Sequence, residues 1–455
     1  MPFPHIFKQY DIRGLAGSEL TPPLVEHLGR AVGTLLRRAG KTDLVVGRDG
    51  RLSGPEYAAA FIAGARSAGL DVLDIGLCPT PVVYYAIHRL EAGGGVAVTA
   101  SHNPPGYNGL KICRGTESVF GDELQALRRL VESGDYETGS GSLRREDILP
   151  DYLEYLADHF GEFPSRPKVV VDAGNGTAGL VAPELFRRLK CRVAELYCNV
   201  DGRFPNHEAD PTVEENLVDL IGLVRRQKAA LGIAFDGDGD RIGVVDEDGE
   251  VLRGDQILLL YARALLETEP GALILSEVKA SRVLYDEIAR AGGRPLMWMT
   301  GHSLIKAKMK ASGARLAGEM SGHMFFADRY FGYDDAIYAA GRLLEILDRT
   351  GKSLKELRRS IPPSCNTPEI RVACPEADKT RLVSALLEHY RKAHEVVDID
   401  GVRATFEHGW GLVRSSNTQP ILVLRFEADT PEHLAAIRAR VTADIDRFKR
   451  ELGIG

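Results

Sequence analysis

Asp236-Gly237-Asp238-Gly239-Asp240-Arg241 sets three carboxylates at alternate positions between two short apolar runs, 231–235 and 242–245. Glycines between the acids let the chain turn sharply, so the carboxylates can converge on one hard cation such as Mg²⁺. Without a cation, three negative groups this close repel one another. An EF-hand loop shares the pattern and would find Glu247 at its twelfth position, but Arg241 stands where that loop needs glycine and the flanks read as strands rather than helices. A Mg²⁺-dependent phosphatase with an aspartyl nucleophile also fits Asp236 to Gly239, and the residues alone leave it open.

A second candidate is Thr99-Ala100-Ser101-His102-Asn103-Pro104-Pro105, directly after an apolar run and followed by Tyr107-Asn108-Gly109-Leu110-Lys111. A serine at a strand end, held in a proline-stiffened loop beside histidine and lysine, is placed like a nucleophile facing a cleft, although in isolation such a segment is more often a turn or cap. No GxSxG sequence supports a hydrolase elbow. Two polar loops complete the inventory. Gly318-Glu319-Met320-Ser321-Gly322-His323 offers a carboxylate and a hydroxyl suited to sugar hydroxyls, and Arg414-Ser415-Ser416-Asn417-Thr418 offers donors suited to a phosphate.

The elements that must position these loops alternate short β-branched runs with helical patterns, the mark of parallel α/β layers. This rhythm starts near residue 44, again at 168 and again near 254. Helices are expected at 147–159, 177–190 and 214–228, among others. After Pro362-Pro363 the order changes to strand, helix, several strands and a last helix, in which Leu434, Ile437, Val441, Ile445 and Phe448 mark one buried face. Four domains are therefore expected, at 1–148, 149–249, 250–362 and 363–455: three α/β and a smaller C-terminal α+β domain.

The 455 residues suffice for several cores, and 44% hydrophobic with 27% charged residues is an ordinary globular composition. A net charge of −7 gives no global attraction for nucleic acid or an anionic membrane. No apolar run approaches the ~20 residues of a membrane span, and the N-terminus has no signal-peptide layout, so a cytoplasmic protein is expected. Six cysteines without a CxxC suggest reduced, packed thiols, and the spacing of Cys365, Cys374, His389 and His394 does not suit a zinc finger.

Taken together, the four motifs resemble the α-D-phosphohexomutases, above all their bacterial phosphomannomutase/phosphoglucomutase branch, over nearly the whole chain from 7–14 to 416–418. The segment from Gly95 to Pro104 is similar to the family's phosphoserine signature and Asp236 to Arg241 to its metal loop. The resemblance implies three related α/β domains with mixed sheets and an α+β domain around a central cleft. It implies reversible phosphoryl transfer between the 1- and 6-positions of mannose and glucose phosphates, an isomerase reaction through a phosphoserine and a hexose 1,6-bisphosphate. Glucosamine-phosphate mutase of the same family is the alternative. By the same resemblance Ser101 is the phosphorylated residue, and Asp236, Asp238 and Asp240 hold Mg²⁺ together with an oxygen on Ser101. Arg13, His102, Lys111 and Arg241 then lie near the transferring phosphate. Tyr10, Lys279, Gly301, His302, Glu319 and Ser321 match sugar-contacting positions; Arg414, Ser416, Asn417 and Thr418 match a phosphate loop. Glucose 1,6-bisphosphate is implied as intermediate and activator, hexose phosphates as the only partners, and a monomer as the working form.

Overall fold

The computed structural model describes residues 3–416 and 420–454. Its first sheet sets Asp43–Arg48 parallel to Asp71–Leu77 and Gly94–Val98, after which Tyr107–Arg114 returns antiparallel on Gly94–Val98 and pairs with Ile12–Leu15. The second sheet repeats the scheme. Lys168–Asp172 is parallel to Arg192–Leu196 and Leu231–Phe235, and Ile242–Asp246 returns antiparallel on Leu231–Phe235. In the third, Leu273–Glu277 is parallel to Arg294–Trp298 and Leu316–Gly318, and Met324–Phe326 returns antiparallel on Leu316–Gly318. All three sheets are thus mixed in the same way, and each motif read from the sequence falls where the chain reverses. The serine loop follows Gly94–Val98, the acidic loop follows Leu231–Phe235 and the Glu319 loop follows Leu316–Gly318. These are carboxyl ends of parallel strands, the edge at which open α/β sheets hold ligands.

The C-terminal domain is antiparallel throughout. Gly409–Ser415 lies between Val402–Phe406 and Ile421–Ala428, with helices Lys379–Arg391 and Pro431–Leu452 packed against the sheet. Arg414 therefore sits on a strand rather than in the loop that follows. Asn417 and Thr418, expected phosphate ligands, lie outside the described residues.

One apolar core links the first three domains, from Tyr85 through Tyr152 and Phe186 to Tyr261 and Tyr338, whereas the fourth has its own around Leu386, Phe426 and Val441. The fourth docks on the third through a small apolar cluster, Val278 and Met297 against Trp410 and Leu412, flanked by polar contacts. Arg403 Nη1 donates to the carbonyls of Val278 (2.6 Å) and Ala280 (2.9 Å), and Arg425 donates to that of Lys279. A separate core joined by a small seam is what a domain needs to move as a unit.

Two local expectations differ. The segment 177–190 is not one helix but a 3-10 turn, Thr177–Leu180, and a helix, Ala182–Arg188, because Pro183 has no N–H to continue the ladder. The second sheet also takes in Val251–Leu252, since the turn after Ile242–Asp246 is a hairpin within that sheet. Among the described residues no helix is long and apolar enough to cross a membrane.

Candidate active site

Ser101 has φ +51°, left-handed backbone that a non-glycine residue adopts at a cost. Buried polar contacts hold it there. Its N–H donates to Thr99 Oγ1 (2.8 Å), and Thr99 Oγ1 donates to Asp49 Oδ2 (2.7 Å). Arg51, only 1% exposed, spans the loop from beneath: its guanidinium meets Asp49 Oδ2 (3.1 Å) and donates to the carbonyls of Ser101 (2.8 Å), Asn103 (2.5 Å), Pro104 (2.7 Å) and Tyr107 (2.9 Å). Removing it would strand a buried carboxylate and four carbonyls. Arg51→Met is therefore expected to destabilise the loop by about 3 kcal/mol, seen as faster amide hydrogen exchange across 99–107. Unchanged exchange there would remove Arg51 from the account.

Ser101 Oγ donates to Asp236 Oδ2 at 2.6 Å and lies 3.1 Å from His102 Nδ1. The two loops touch because Gly237 lacks a side chain; a Cβ there would stand 2.6 Å from the carbonyl oxygen of Ser101. Asp236 Oδ1 accepts the backbone N–H groups of Gly239, Asp240 and Arg241 at 3.0 to 3.1 Å, a turn that Gly239 completes at φ +77°. With one oxygen filled by the backbone and the other by Ser101, Asp236 is a hydrogen-bond acceptor rather than a free nucleophile, which disfavours the aspartyl phosphatase reading.

Asp236, Asp238 and Asp240 are fully buried, and each contributes an oxygen to a group lying within 4.8 Å of one another. Lys111 Nζ bridges Asp238 Oδ2 (2.7 Å) and Asp240 Oδ2, and Thr80 Oγ1 donates to Asp238 Oδ2 (2.6 Å). Asp238 Oδ1 has no hydrogen-bond partner. Burial, then repulsion from Asp238 and Asp240, pushes the Asp236 carboxyl well above its usual range. An orphaned carboxylate oxygen in a buried all-oxygen cluster is chemistry that a hard divalent cation satisfies.

Above this loop His323 joins the second domain to the third. Its Nε2 is 3.2 Å from Asp240 Oδ1 and its Nδ1 is 3.0 Å from Glu319 Oε2. Burial opposes its charge, but Asp240 and Glu319 outweigh burial and push the imidazole up to about 9. His323 is thus an imidazolium facing two carboxylates, and Arg241 Nε, 3.3 Å from Nε2, is a like-charged neighbour rather than its donor. His102 is the opposite case. Burial and the surrounding cations, Arg241 and Arg13 foremost, hold it neutral.

The sugar-contacting residues expected from the sequence continue from here. Glu319 Oε1 accepts from the Gly301 N–H (2.6 Å), and Ser321 Oγ is 3.0 Å from His323 Nδ1. His302 Nδ1 faces Asp334 at 3.2 Å, and the Tyr10 ring packs on Gly301 and His302 while its hydroxyl donates to the Thr300 carbonyl (2.7 Å). Asp400 Oδ2 accepts from the Thr300 N–H (3.0 Å) and from Arg414 Nε (3.0 Å), joining the third domain to the fourth. Lys279 Nζ lies between Glu277 (3.3 Å) and Glu369 (2.6 Å), the latter from the fourth domain. Arg13 is gripped by Asn103 (2.6 Å) and Asp11 (2.5 Å), and the buried Ser416 gives its carbonyl to Lys379 (2.6 Å). A nearly continuous line of polar contacts thus runs from Ser101 to Arg414 through all four domains.

Sequence reasoning missed Arg51, Asp49, Thr80, His323 and Asp334. His323 closed the Gly318 loop but was given no role. The segment 47–51 carried two arginines around an aspartate after an apolar run, a pattern equally suited to a solvated turn.

Comparison with known proteins agrees with this layout. Family models described as phosphoglucomutase/phosphomannomutase alpha/beta/alpha domains I, II and III match residues 4–137, 150–249 and 253–365, and the C-terminal domain model matches 336–444. The phosphomannomutase/phosphoglucomutase of Pseudomonas aeruginosa is 48% identical over 95% of this chain and 94% of its own. A phosphoglucomutase of Neisseria meningitidis is 42% identical over 97% and 96%. The crystal structure of a phosphoglucomutase/phosphomannomutase family protein from Burkholderia thailandensis, 43% identical, superposes with a TM-score of 0.92 over 98% of both chains. Four domain matches in order, on a fold whose chain reversals carry the serine, acidic and Glu319 loops, make this chain a member of the phosphoglucomutase/phosphomannomutase family.

Proposed function

We propose that the protein exchanges a phosphoryl group reversibly between the 1- and 6-positions of mannose and glucose phosphates, with phosphorylated Ser101 as donor and a hexose 1,6-bisphosphate as intermediate. The carrying observation is Ser101 Oγ, held in left-handed backbone 2.6 Å from the first carboxylate of a three-aspartate loop. Asp236, Asp238 and Asp240, with an oxygen on Ser101, would hold Mg²⁺, which when bound supplies positive charge to the transferring phosphoryl.

The chain's own residues supply the rest. In the forward half-reaction the free hydroxyl of a hexose phosphate attacks phosphorus; a new O–P bond forms, the Ser101 Oγ–P bond breaks, and a proton passes from the sugar hydroxyl to a base and ultimately to Ser101 Oγ. His102, 3.1 Å from Oγ, is placed to hand a proton to Ser101 Oγ as it leaves. Lys111, Arg13 and Arg241 gather positive charge around the loop, and the imidazolium of His323 fixes Glu319. The bisphosphate then turns over, and the return transfer runs through the same groups. Glu319 and Ser321 grip the sugar, with Tyr10, Lys279, Gly301 and His302 lining it, while Arg414 and Ser416 to Thr418 bind the phosphate that is not reacting. The working form in this reading is a cytoplasmic monomer.

Arg414→Ala should raise KM for glucose 1-phosphate about 10- to 150-fold, from the loss of a charge-assisted hydrogen bond worth roughly 1.5 to 3 kcal/mol. An unchanged KM would discard its role as a phosphate ligand. Glucose and mannose differ only at carbon 2, and the proposed grip on the 3- and 4-hydroxyls reads groups they share. Their 1-phosphates should therefore have kcat/KM values within about 100-fold of each other, with galactose 1-phosphate failing because Glu319 would lose a partner. A coupled assay of the three sugars side by side tests the reading. Galactose turning over as well as glucose would remove the Glu319 and Ser321 roles, and mannose more than about 10⁴-fold below glucose would remove dual specificity.

A further inference from the structure

The strands Gly409–Ser415 and Ile421–Ala428 carry the phosphate loop at one end. At the other end, roughly 20 Å away along seven paired residues, they bring together His408 and Asp429, just outside the last pair, Gly409 with Ala428. His433, from the first turn of the final helix, joins them. His408 Nδ1 is 3.2 Å from Asp429 Oδ2, and His433 Nδ1 is 2.5 Å from Asp429 Oδ1. The two imidazoles stack with centroids 3.8 Å apart and planes 4° from parallel, and one donor atom from each of the three residues lies within 4.8 Å of the others. Backbone contacts fix all three. The Asp429 N–H donates to the His408 carbonyl (3.1 Å), and the His433 N–H donates to the capping Thr430 Oγ1 (3.2 Å).

This arrangement has no role in packing, because the side chains are 43%, 55% and 39% exposed. The Asp429 carboxylate faces both Nδ1 atoms, so the three donor groups are turned toward one another. Two imidazoles and a carboxylate form a borderline N₂O donor set, unlike the all-oxygen aspartate loop, and such a set prefers zinc-like cations to Mg²⁺. The spacing also fits: with metal–ligand bonds of about 2 Å at a tetrahedral angle, nitrogen and oxygen lie roughly 3.3 Å apart. His408 and Asp429 are already at 3.2 Å, and the two exposed imidazoles have to rotate out of their parallel stack so that both Nδ1 lone pairs point at one ion.

We propose that His408, Asp429 and His433 form a second metal site, for a single Zn²⁺-class cation, that staples the hairpin turn at 407–408 to the start of the final helix. On binding, the metal takes the imidazole lone pairs, any Nδ1 protons pass to solvent, and water fills the remaining position. Glu407, whose carboxylate lies 3.9 Å from His408 Nε2, stands nearby as a further acceptor. The staple acts on the fourth domain without reaching the reacting atoms.

Equilibrium dialysis against Zn²⁺ in excess Mg²⁺, followed by metal analysis, compares the full-length protein with its His408→Ala/His433→Ala and Asp429→Asn variants. The full-length protein should bind one Zn²⁺ more than the double variant, and Asp429→Asn should weaken that site at least about 10-fold. Co²⁺ should give tetrahedral visible bands only where both histidines remain, and the double variant should keep the Mg²⁺-dependent mutase rate. Because these side chains are exposed, the double variant is expected to fold. Equal Zn²⁺ stoichiometry in the two proteins, or Co²⁺ bands that survive the double substitution, would overturn the site.

Discussion

Ser101→Ala is expected to lose turnover by on the order of 10³-fold or more, as when a covalent nucleophile is removed. The structure gives the loss a specific form. The hydroxyl is the only part of Ser101 that meets Asp236 and His102, while the loop is held through backbone groups by Arg51 and Thr99. Alanine should therefore leave the loop and substrate binding in place and lower kcat rather than raise KM. A variant turning over at near wild-type rates would show that phosphate passes through some other group.

Asp238→Ala should abolish Mg²⁺-dependent turnover, again by on the order of 10³-fold, since metal stabilisation of transferring charge is worth several kcal/mol and each 1.36 kcal/mol is tenfold. The fold should survive. Lys111 keeps Asp240 as its partner, and removing one of three mutually repelling carboxylates relieves the strain that raises Asp236. Titrating the variant with Mg²⁺ checks this. Full activity without added metal would put the cation site elsewhere.

What the sequence disclosed and what it hid divide along a physical line. The acidic loop was legible because alternating carboxylates and glycines are a local pattern, and the serine loop because the residues around Ser101 are its neighbours in sequence. The final helix was legible from its period: Ile437, Val441 and Ile445 are buried, and Leu434 and Phe448 are packed at the edge of the same core. His323 was not legible, because its role depends on Asp240 arriving from another domain. Arg51 was missed for a related reason. A charged turn after a strand is normally solvated, and only the serine loop folded over it turns Arg51 into a buried clamp on four carbonyls. Arg414 was placed by composition in a loop, yet pairing with Val423 sets it on a strand, and its hold on Asp400 ties the fourth domain to Thr300.

The most direct test of phosphoryl transfer through Ser101 is intact-protein mass spectrometry before and after incubation with excess glucose 6-phosphate, with peptide mapping of any modified site. The expected result is one phosphate on the peptide containing Ser101, lost on incubation as glucose 1,6-bisphosphate appears, and absent from Ser101→Ala. A phosphate labile to hydroxylamine and mapping to Asp236, or turnover by a protein that never carries phosphate on Ser101, would contradict it.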